Sequence, residues 1–470
     1  MLKERIIEWT SAHRDEFAAD LGKLIAVRSV RGEAQEDKPF GEGPAEALRV
    51  GLALCESYGL AVQNHDNYAG SADLAADKEP MLDILAHLDV VGEGDGWDTD
   101  PYQMVLADDG MLYGRGVSDD KGGLLAAAYA MRCVKELGVK LHHNCRLILG
   151  CDEETGMEDT LHYYLKNKPA PYTTTPDANW PVCNVEKGFY RPAFSMTFAP
   201  ETALPRVVEY SGGFRTNVVP TDASAVIAGM EELSLRTALL PLAAELGVSY
   251  DIDACDKGLR LTVHGRGCHA AMPETGVNGN TALIRLLCEL PLADCAATRA
   301  LRALDAVLPH GDWLGKAAGI AQSDELSGAL TCSFTQLRFD EQTLWGECDC
   351  RVPLCADDDN CRKVFEAKLA PLGFEPAGEM LPGHYTPAEG EFIQTLLRNY
   401  ELYTGKKGYC YSMGGGTYVH HIPGGVAFGT EPPDFDTRMH GANERIPLDE
   451  LLRCTEIYAG VIASLCGEEE

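Results

Sequence analysis

His87, Asp119, Glu153, Glu154, Asp177 and His440 are spread along the chain, most of them where an apolar run gives way to a turn. Imidazole and carboxylate groups suit Zn²⁺, Mn²⁺ or Co²⁺, and the set is large enough for two such ions. The chemistry this predicts is hydrolysis, in which metals acidify a water and a neighbouring carboxylate accepts its proton.

Each motif gains its meaning from context. His87-Leu88-Asp89 closes the apolar run Met81 to Ala86 and precedes a Gly-rich loop from Val91 to Trp97, which places Asp89 to fix the ring of His87. A His-x-Asp tripeptide elsewhere is usually plain structure. The most specific stretch is Gly114-Arg115-Gly116-Val117-Ser118-Asp119-Asp120-Lys121-Gly122-Gly123. Adjacent aspartates opening a helix serve as N-caps, but one carboxylate also has two oxygens and can bridge two cations, and Asp119 is the candidate. In Glu153-Glu154, after the apolar run Cys145 to Gly150, one residue would ligate a metal and the other take a proton. Asp177, in Thr175-Pro176-Asp177-Ala178, and His440, in Met439-His440-Gly441-Ala442-Asn443-Glu444, carry little weight alone.

The elements that must position these groups follow from periodicity. Strand-like Met81 to Ala86 and Cys145 to Gly150 alternate with a helix-like run from Gly123 to Leu137. This predicts an α/β fold: a mixed, largely parallel sheet flanked by helices, with ligands at the carboxyl ends of strands. After Gly188 the pattern changes to strands at Phe189 to Phe198, Ala223 to Ala228 and Gly346 to Val352, with a helix from Gly279 to Leu290, which fits an α+β insertion. The helical run Glu391 to Tyr403 and Gly414-Gly415-Gly416 return to the first domain. The expected division is 1–187 for the first part of a catalytic domain, 188–381 for the insertion and 382–470 for the second part.

A chain of 470 residues with 45% hydrophobic content can bury more than one core. Forty Lys and Arg against 72 Asp and Glu give a net charge of −32, which disfavours nucleic acid and anionic membranes. The opening residues carry charges throughout, with Ile6, Trp9, His13 and Phe17 at helical spacing, so they read as an amphipathic helix rather than a signal peptide. No apolar span has membrane length. Seventeen cysteines without a CxxC pair, several inside apolar runs, read as reduced core residues of a cytoplasmic protein.

Taken in order, Asn67-Tyr68-Ala69-Gly70, the ligand motifs and the loop Gly414-Gly415-Gly416-Thr417-Tyr418 resemble the two-metal aminoacylase/carboxypeptidase superfamily of metallopeptidases over nearly the whole chain. The likeness is greatest to the bacterial PepV-type dipeptidases. It implies one divalent metal held by His87 and Asp177, a second by Glu154 and His440, Asp119 bridging them, and Glu153 as general base. It also implies a cis peptide between Asp119 and Asp120. The insertion becomes a lid, in which His269 donates to the oxyanion, while Arg351, Asn217 and the Gly415-Gly416-Thr417 segment hold the substrate's terminal carboxylate. Two positions depart from the pattern. Ala271 stands where many relatives have serine, which removes a hydroxyl near His269, and Gly123 stands where they have proline. The region Asp305 to Glu325 carries no assignable motif.

The function expected from all this is hydrolysis of short peptides, unblocked dipeptides above all, by a metal-bridging hydroxide with Glu153 as base. Zn²⁺ is the first choice of cofactor, with Mn²⁺ and Co²⁺ as the others, and a monomer is expected because such a lid supplies from one chain what smaller relatives take from a second subunit. The alternative is an N-acyl-amino-acid deacylase of the same superfamily. A non-catalytic metal-binding scaffold is weaker, because neither a ligand nor the base is missing.

Overall fold

Unbroken apolar runs become the middle of a sheet. In the computed structural model, which describes residues 1–468, Pro80–His87 and Asn144–Gly150 are buried along nearly their whole length. Glu469 and Glu470, the end of the expected third segment, lie outside the described residues. The two strands run parallel, His87 level with Gly150. Tyr172–Thr175 continues the parallel set on the other side of Pro80–His87, followed by Val426–Ala427. Parallel strands covered on both faces need no polar alternation, which is why these read as continuous apolar runs. Antiparallel strands Ala61–His65 and Ala69–Asp73 extend one side of the sheet, and Val182–Glu186 the other. The sheet is therefore mixed, with its parallel strands in the centre.

Two helices supply much of the cover. Lys121–Glu136 starts directly after the paired aspartates and packs against Leu448–Cys466. Gly122 permits that approach, since a Cβ there would lie 3.1 Å from Leu451 and collide with the Val117 carbonyl oxygen. The expected N-terminal helix is two helices, Leu2–Ala12 and Arg14–Ile25, because His13 leaves helical geometry at φ −101° and ψ 9°. Its ring stacks on Trp9 at 3.9 Å, while Ile6, Trp9 and Phe17 are buried as the spacing predicts.

The chain forms two compact units: 1–185, 385–411 and 416–470 in one, and 186–384 with 412–415 in the other. The second unit is built on an antiparallel sheet running through Ser249–Cys255, Gly258–His264, Asp222–Ala228, Arg206–Gly212, Thr331–Phe339 and Thr343–Val352. Helices Gly279–Glu289 and Ala296–Val307 pack against it around a separate apolar core. The expected strand from Phe189 to Phe198 is divided into Gly188–Tyr190 and Ala193–Thr197, both paired with Thr343–Val352. Pro192 lies in the gap, where it has no N–H to give to a ladder. None of the seventeen cysteines forms a disulfide. Among the described residues no helix is long and apolar enough to cross a membrane.

Candidate metal centre

Parallel strands end on the same side of a sheet, so the turns that follow them converge. His87 closes its strand, Glu153 and Glu154 follow Asn144–Gly150, and Asp177 follows Tyr172–Thr175. Asp119 stands just before the helix Lys121–Glu136, and its peptide bond to Asp120 is cis, as the resemblance implied. His440 lies in the loop before Arg445–Pro447, at a left-handed φ of 62°.

All six side chains belong to the first unit and meet there. His87 Nε2 lies 3.0 Å from Asp119 Oδ1 and 3.8 Å from Asp177 Oδ2. His440 Nε2 lies 2.9 Å from Asp119 Oδ2 and 3.1 Å from Glu154 Oε2. Potential donor atoms of His87, Glu153 and Asp177 fall within 4.8 Å of one another, as do those of Asp119, Glu154 and His440. The Asp119 carboxylate thus turns one oxygen to each imidazole.

Asp89 does more than its place in the tripeptide suggests. Its carbonyl oxygen is 2.9 Å from His87 Nδ1, and its Oδ1 is 3.5 Å from the same nitrogen. Carbonyl and carboxylate oxygens only accept, so in this structure Nδ1 donates to Asp89 and Nε2 to Asp119, and although burial disfavours the charge these carboxylates hold the imidazole protonated; metal binding at Nε2 would displace that proton. The Asp89 carboxylate also accepts the backbone N–H groups of Glu153 at 3.2 Å and Glu154 at 3.1 Å.

The electrostatics of the cluster favour cations. Burial, then the charge of Asp177, hold Glu153 well above the usual carboxylate range, while burial and Asp119 push Asp177 up to about 8. Burial opposes charge on His440, yet Asp119 and Glu154 overcome it and raise its pKa to about 11. Carboxylates crowded into one buried place must hold protons or be matched by positive charge, and mixed imidazole and carboxylate donors are the set that Zn²⁺, Mn²⁺ and Co²⁺ accept.

Three supporting residues escaped the sequence reading. Asp120 is fully buried and its Oδ2 accepts the backbone N–H of His87 at 3.3 Å. Lys121, also buried, donates Nζ to the carbonyl oxygens of Leu24 at 3.0 Å and Val27 at 2.8 Å. Glu444 receives several backbone N–H groups from the Asp119 turn. Asp120 and Lys121 stood inside the most specific motif and Glu444 closed the His440 one, so their positions were visible and their partners were not.

The remaining candidates belong chiefly to the second unit. Asn217 precedes Val218–Val219, which pairs with Cys268–His269, and its carbonyl accepts the N–H of Ala270 at 2.9 Å. His269 Nδ1 accepts the backbone N–H of Ala271 at 3.1 Å. The ring therefore receives backbone support at the residue that lacks the relatives' hydroxyl, and in its neutral form it carries the hydrogen on Nε2. Arg351 is buried and forks onto Asp349, with Nε to Oδ1 at 2.6 Å and Nη2 to Oδ2 at 3.1 Å. Its Nη1 donates to the Gly414 carbonyl at 2.6 Å, and its guanidinium lies 4.5 Å from the Phe189 ring centre. Five donors are not exhausted by three bonds. Gly415 falls in the second unit, whereas Gly416 and Thr417 fall in the first, Thr417 preceding the 3₁₀ turn Tyr418–His421.

Residues 84–464 match the sequence profile of peptidase family M20/M25/M40. The chain is 33% identical over 475 residues to the Beta-Ala-Xaa dipeptidase of Lactobacillus delbrueckii subsp. lactis, with 98% of each covered. Among solved structures it is similar to human carnosine dipeptidase 1, with a TM-score of 0.63, 16% identity and 99% of each chain covered. It is also similar to the dipeptidase Dug1p of Saccharomyces cerevisiae, with a TM-score of 0.60, 14% identity and 98% of each covered. At such identities the structural likenesses show the fold.

Proposed function

The chain belongs to peptidase family M20/M25/M40 and is a metallopeptidase, and from that premise we propose that it hydrolyses unblocked dipeptides at a two-metal centre. The observation that carries the reading is the Asp119 carboxylate, with Oδ1 beside His87 and Oδ2 beside His440. In this proposal His87 and Asp177 would hold one divalent ion and Glu154 and His440 the other, with Asp119 offering one carboxylate oxygen beside each imidazole. The ions supply a water acidified toward neutral pH and a Lewis-acid pull on the scissile carbonyl.

The protein's own groups do the rest. Glu153 accepts the proton of the attacking water as the new C–O bond forms, then returns it to the amine nitrogen as the C–N bond breaks. His269 donates Nε2–H to the oxygen that becomes tetrahedral, and a donor fixed in advance by Ala271 needs little reorganisation. Arg351, held by Asp349, is a preorganised guanidinium for the substrate's terminal carboxylate, with Asn217, Gly415, Gly416 and Thr417 assisting. Relatives named as dipeptidases support a dipeptide, and the donor set supports Zn²⁺ first, with Mn²⁺ and Co²⁺ also accommodated. Seventeen cysteines without a disulfide support a cytoplasmic setting, and we take the working form to be a monomer.

The test is turnover of unblocked dipeptides beside matched N-acetylated amino acids, with metal-stripped protein reconstituted separately with Zn²⁺, Mn²⁺ and Co²⁺. Cleavage should be confined to free dipeptides. Preference for the acylated compounds would move the chain to the deacylases, and silence with metal bound would remove catalysis from the reading.

A further inference from the structure

The sequence motif that begins at His440 ends in Glu444, an acidic side chain with no solvent exposure at all. Its Oε1 accepts three backbone N–H groups from one turn: Gly116 at 3.0 Å, Ser118 at 3.0 Å and Asp119 at 3.2 Å. Its Oε2 receives Arg115 Nη1 at 2.6 Å. The other terminal nitrogen of Arg115 donates to the carbonyl of Gly441 at 3.1 Å, the residue next to His440. Arg115 is itself 1% exposed, and its guanidinium faces the Trp97 ring at 5.3 Å. A second link runs through the backbone, where the N–H of Gly114 donates to the Glu444 carbonyl at 3.1 Å.

These contacts run from the amide of Asp119, through Glu444 and Arg115, to the peptide beside His440. Asp119 and His440 lie far apart in the chain yet must present their donor atoms together. An ion pair this deep is poor evidence of net stabilisation, because desolvating both charges costs about what their attraction returns. Its partners instead suggest a geometric task. Metal–ligand distances tolerate only about 0.2 Å, so slack in either loop would appear first in metal affinity.

We infer that Glu444, through Arg115, is a positioning residue that holds the Asp119 turn and the His440 loop at one spacing. The inference rests on the two-metal reading above. Glu444 takes no ligand or substrate role in it.

The test is Glu444→Gln, which preserves shape and one acceptor oxygen but removes the charge that faces Arg115. Arg115→Lys serves as the conservative partner, since it keeps a cation beside Glu444. Metal-stripped proteins, checked for fold by circular dichroism, are titrated calorimetrically with Zn²⁺ and then assayed on a dipeptide at saturating metal. Glu444→Gln should bind Zn²⁺ at least about tenfold more weakly and lose a similar factor in kcat, with KM near the parent value and Arg115→Lys in between. Parental Zn²⁺ affinity and kcat with only a lowered Tm would overturn the inference, leaving a purely structural pair. If Glu444→Gln does not fold, Arg115→Lys decides: parental affinity overturns the inference, and weakened affinity with the fold intact supports it. A parent protein that itself binds no Zn²⁺ would instead remove the two-metal reading, which separates the two failures.

Discussion

The carboxylate of Asp89 accepts the backbone N–H of Glu153 at 3.2 Å, while the carbonyl oxygen of the same aspartate faces His87 Nδ1 at 2.9 Å. One residue thereby orients a proposed metal ligand and the turn that carries the proposed base. Asp89→Ala should weaken metal binding and lower kcat by about 10- to 100-fold. Parental Zn²⁺ affinity and kcat in a folded Asp89→Ala protein would refute this double role.

Glu153→Ala separates the base from the ligands. The variant should still bind two metal ions per chain, measured by atomic absorption on the dialysed protein. Its kcat should fall by about 10²- to 10⁴-fold, the range that general acid–base catalysis contributes. Near-normal turnover would remove Glu153 as the base, and loss of one metal would make it a ligand.

Stripping the metal should reveal the crowding of the carboxylates as a dependence of stability on pH. The usual Asp177 value of 3.8 is raised to about 8 in the folded protein, and Glu153 is raised as well. An acid whose folded pKa is raised binds extra protons in the native state, so its contribution is complete below 3.8 and is lost as pH rises through about 8. His440, raised to about 11, has the same sign at higher pH. Metal-stripped protein should therefore show a Tm that falls as pH rises from 5 to 8, a slope that saturating Zn²⁺ flattens. Added metal should also raise stability at pH 8, by about 2.7 kcal/mol when free metal exceeds Kd about a hundredfold. A stripped protein with a flat or rising Tm across that interval would contradict the electrostatic account.

Arg351→Lys tests the carboxylate clamp without leaving the buried Asp349 opposite no cation. Lysine keeps the charge and loses the planar fork. KM for a dipeptide should rise by about tenfold or more, as loss of a charge-assisted hydrogen bond predicts, with a smaller change in kcat. An unchanged KM would assign Arg351 to packing with Asp349 alone.

Much of the first unit was legible because its strands are covered on both faces and leave continuous apolar runs. The run ending at His87 and the one ending at Gly150 became adjacent parallel strands, with acidic residues in the turns beyond. Other local features misled in ways that local pattern cannot correct. The helical spacing of Ile6, Trp9 and Phe17 holds, yet His13 breaks the helix; the strand-like run from Phe189 to Phe198 is divided where Pro192 lacks an N–H.

The sequence by itself determined which chemistry is available: the ligand types, their attachment to strand ends, and the turn rich in glycine and aspartate. Only the tertiary structure decided who meets whom. That Asp119 divides its oxygens between His87 and His440, that Asp89 serves a ring and a turn at once, and that Glu444 closes on the Asp119 backbone are all long-range contacts. Such contacts depend on the packing of elements distant in the chain, and neither periodicity nor local propensity carries information about them.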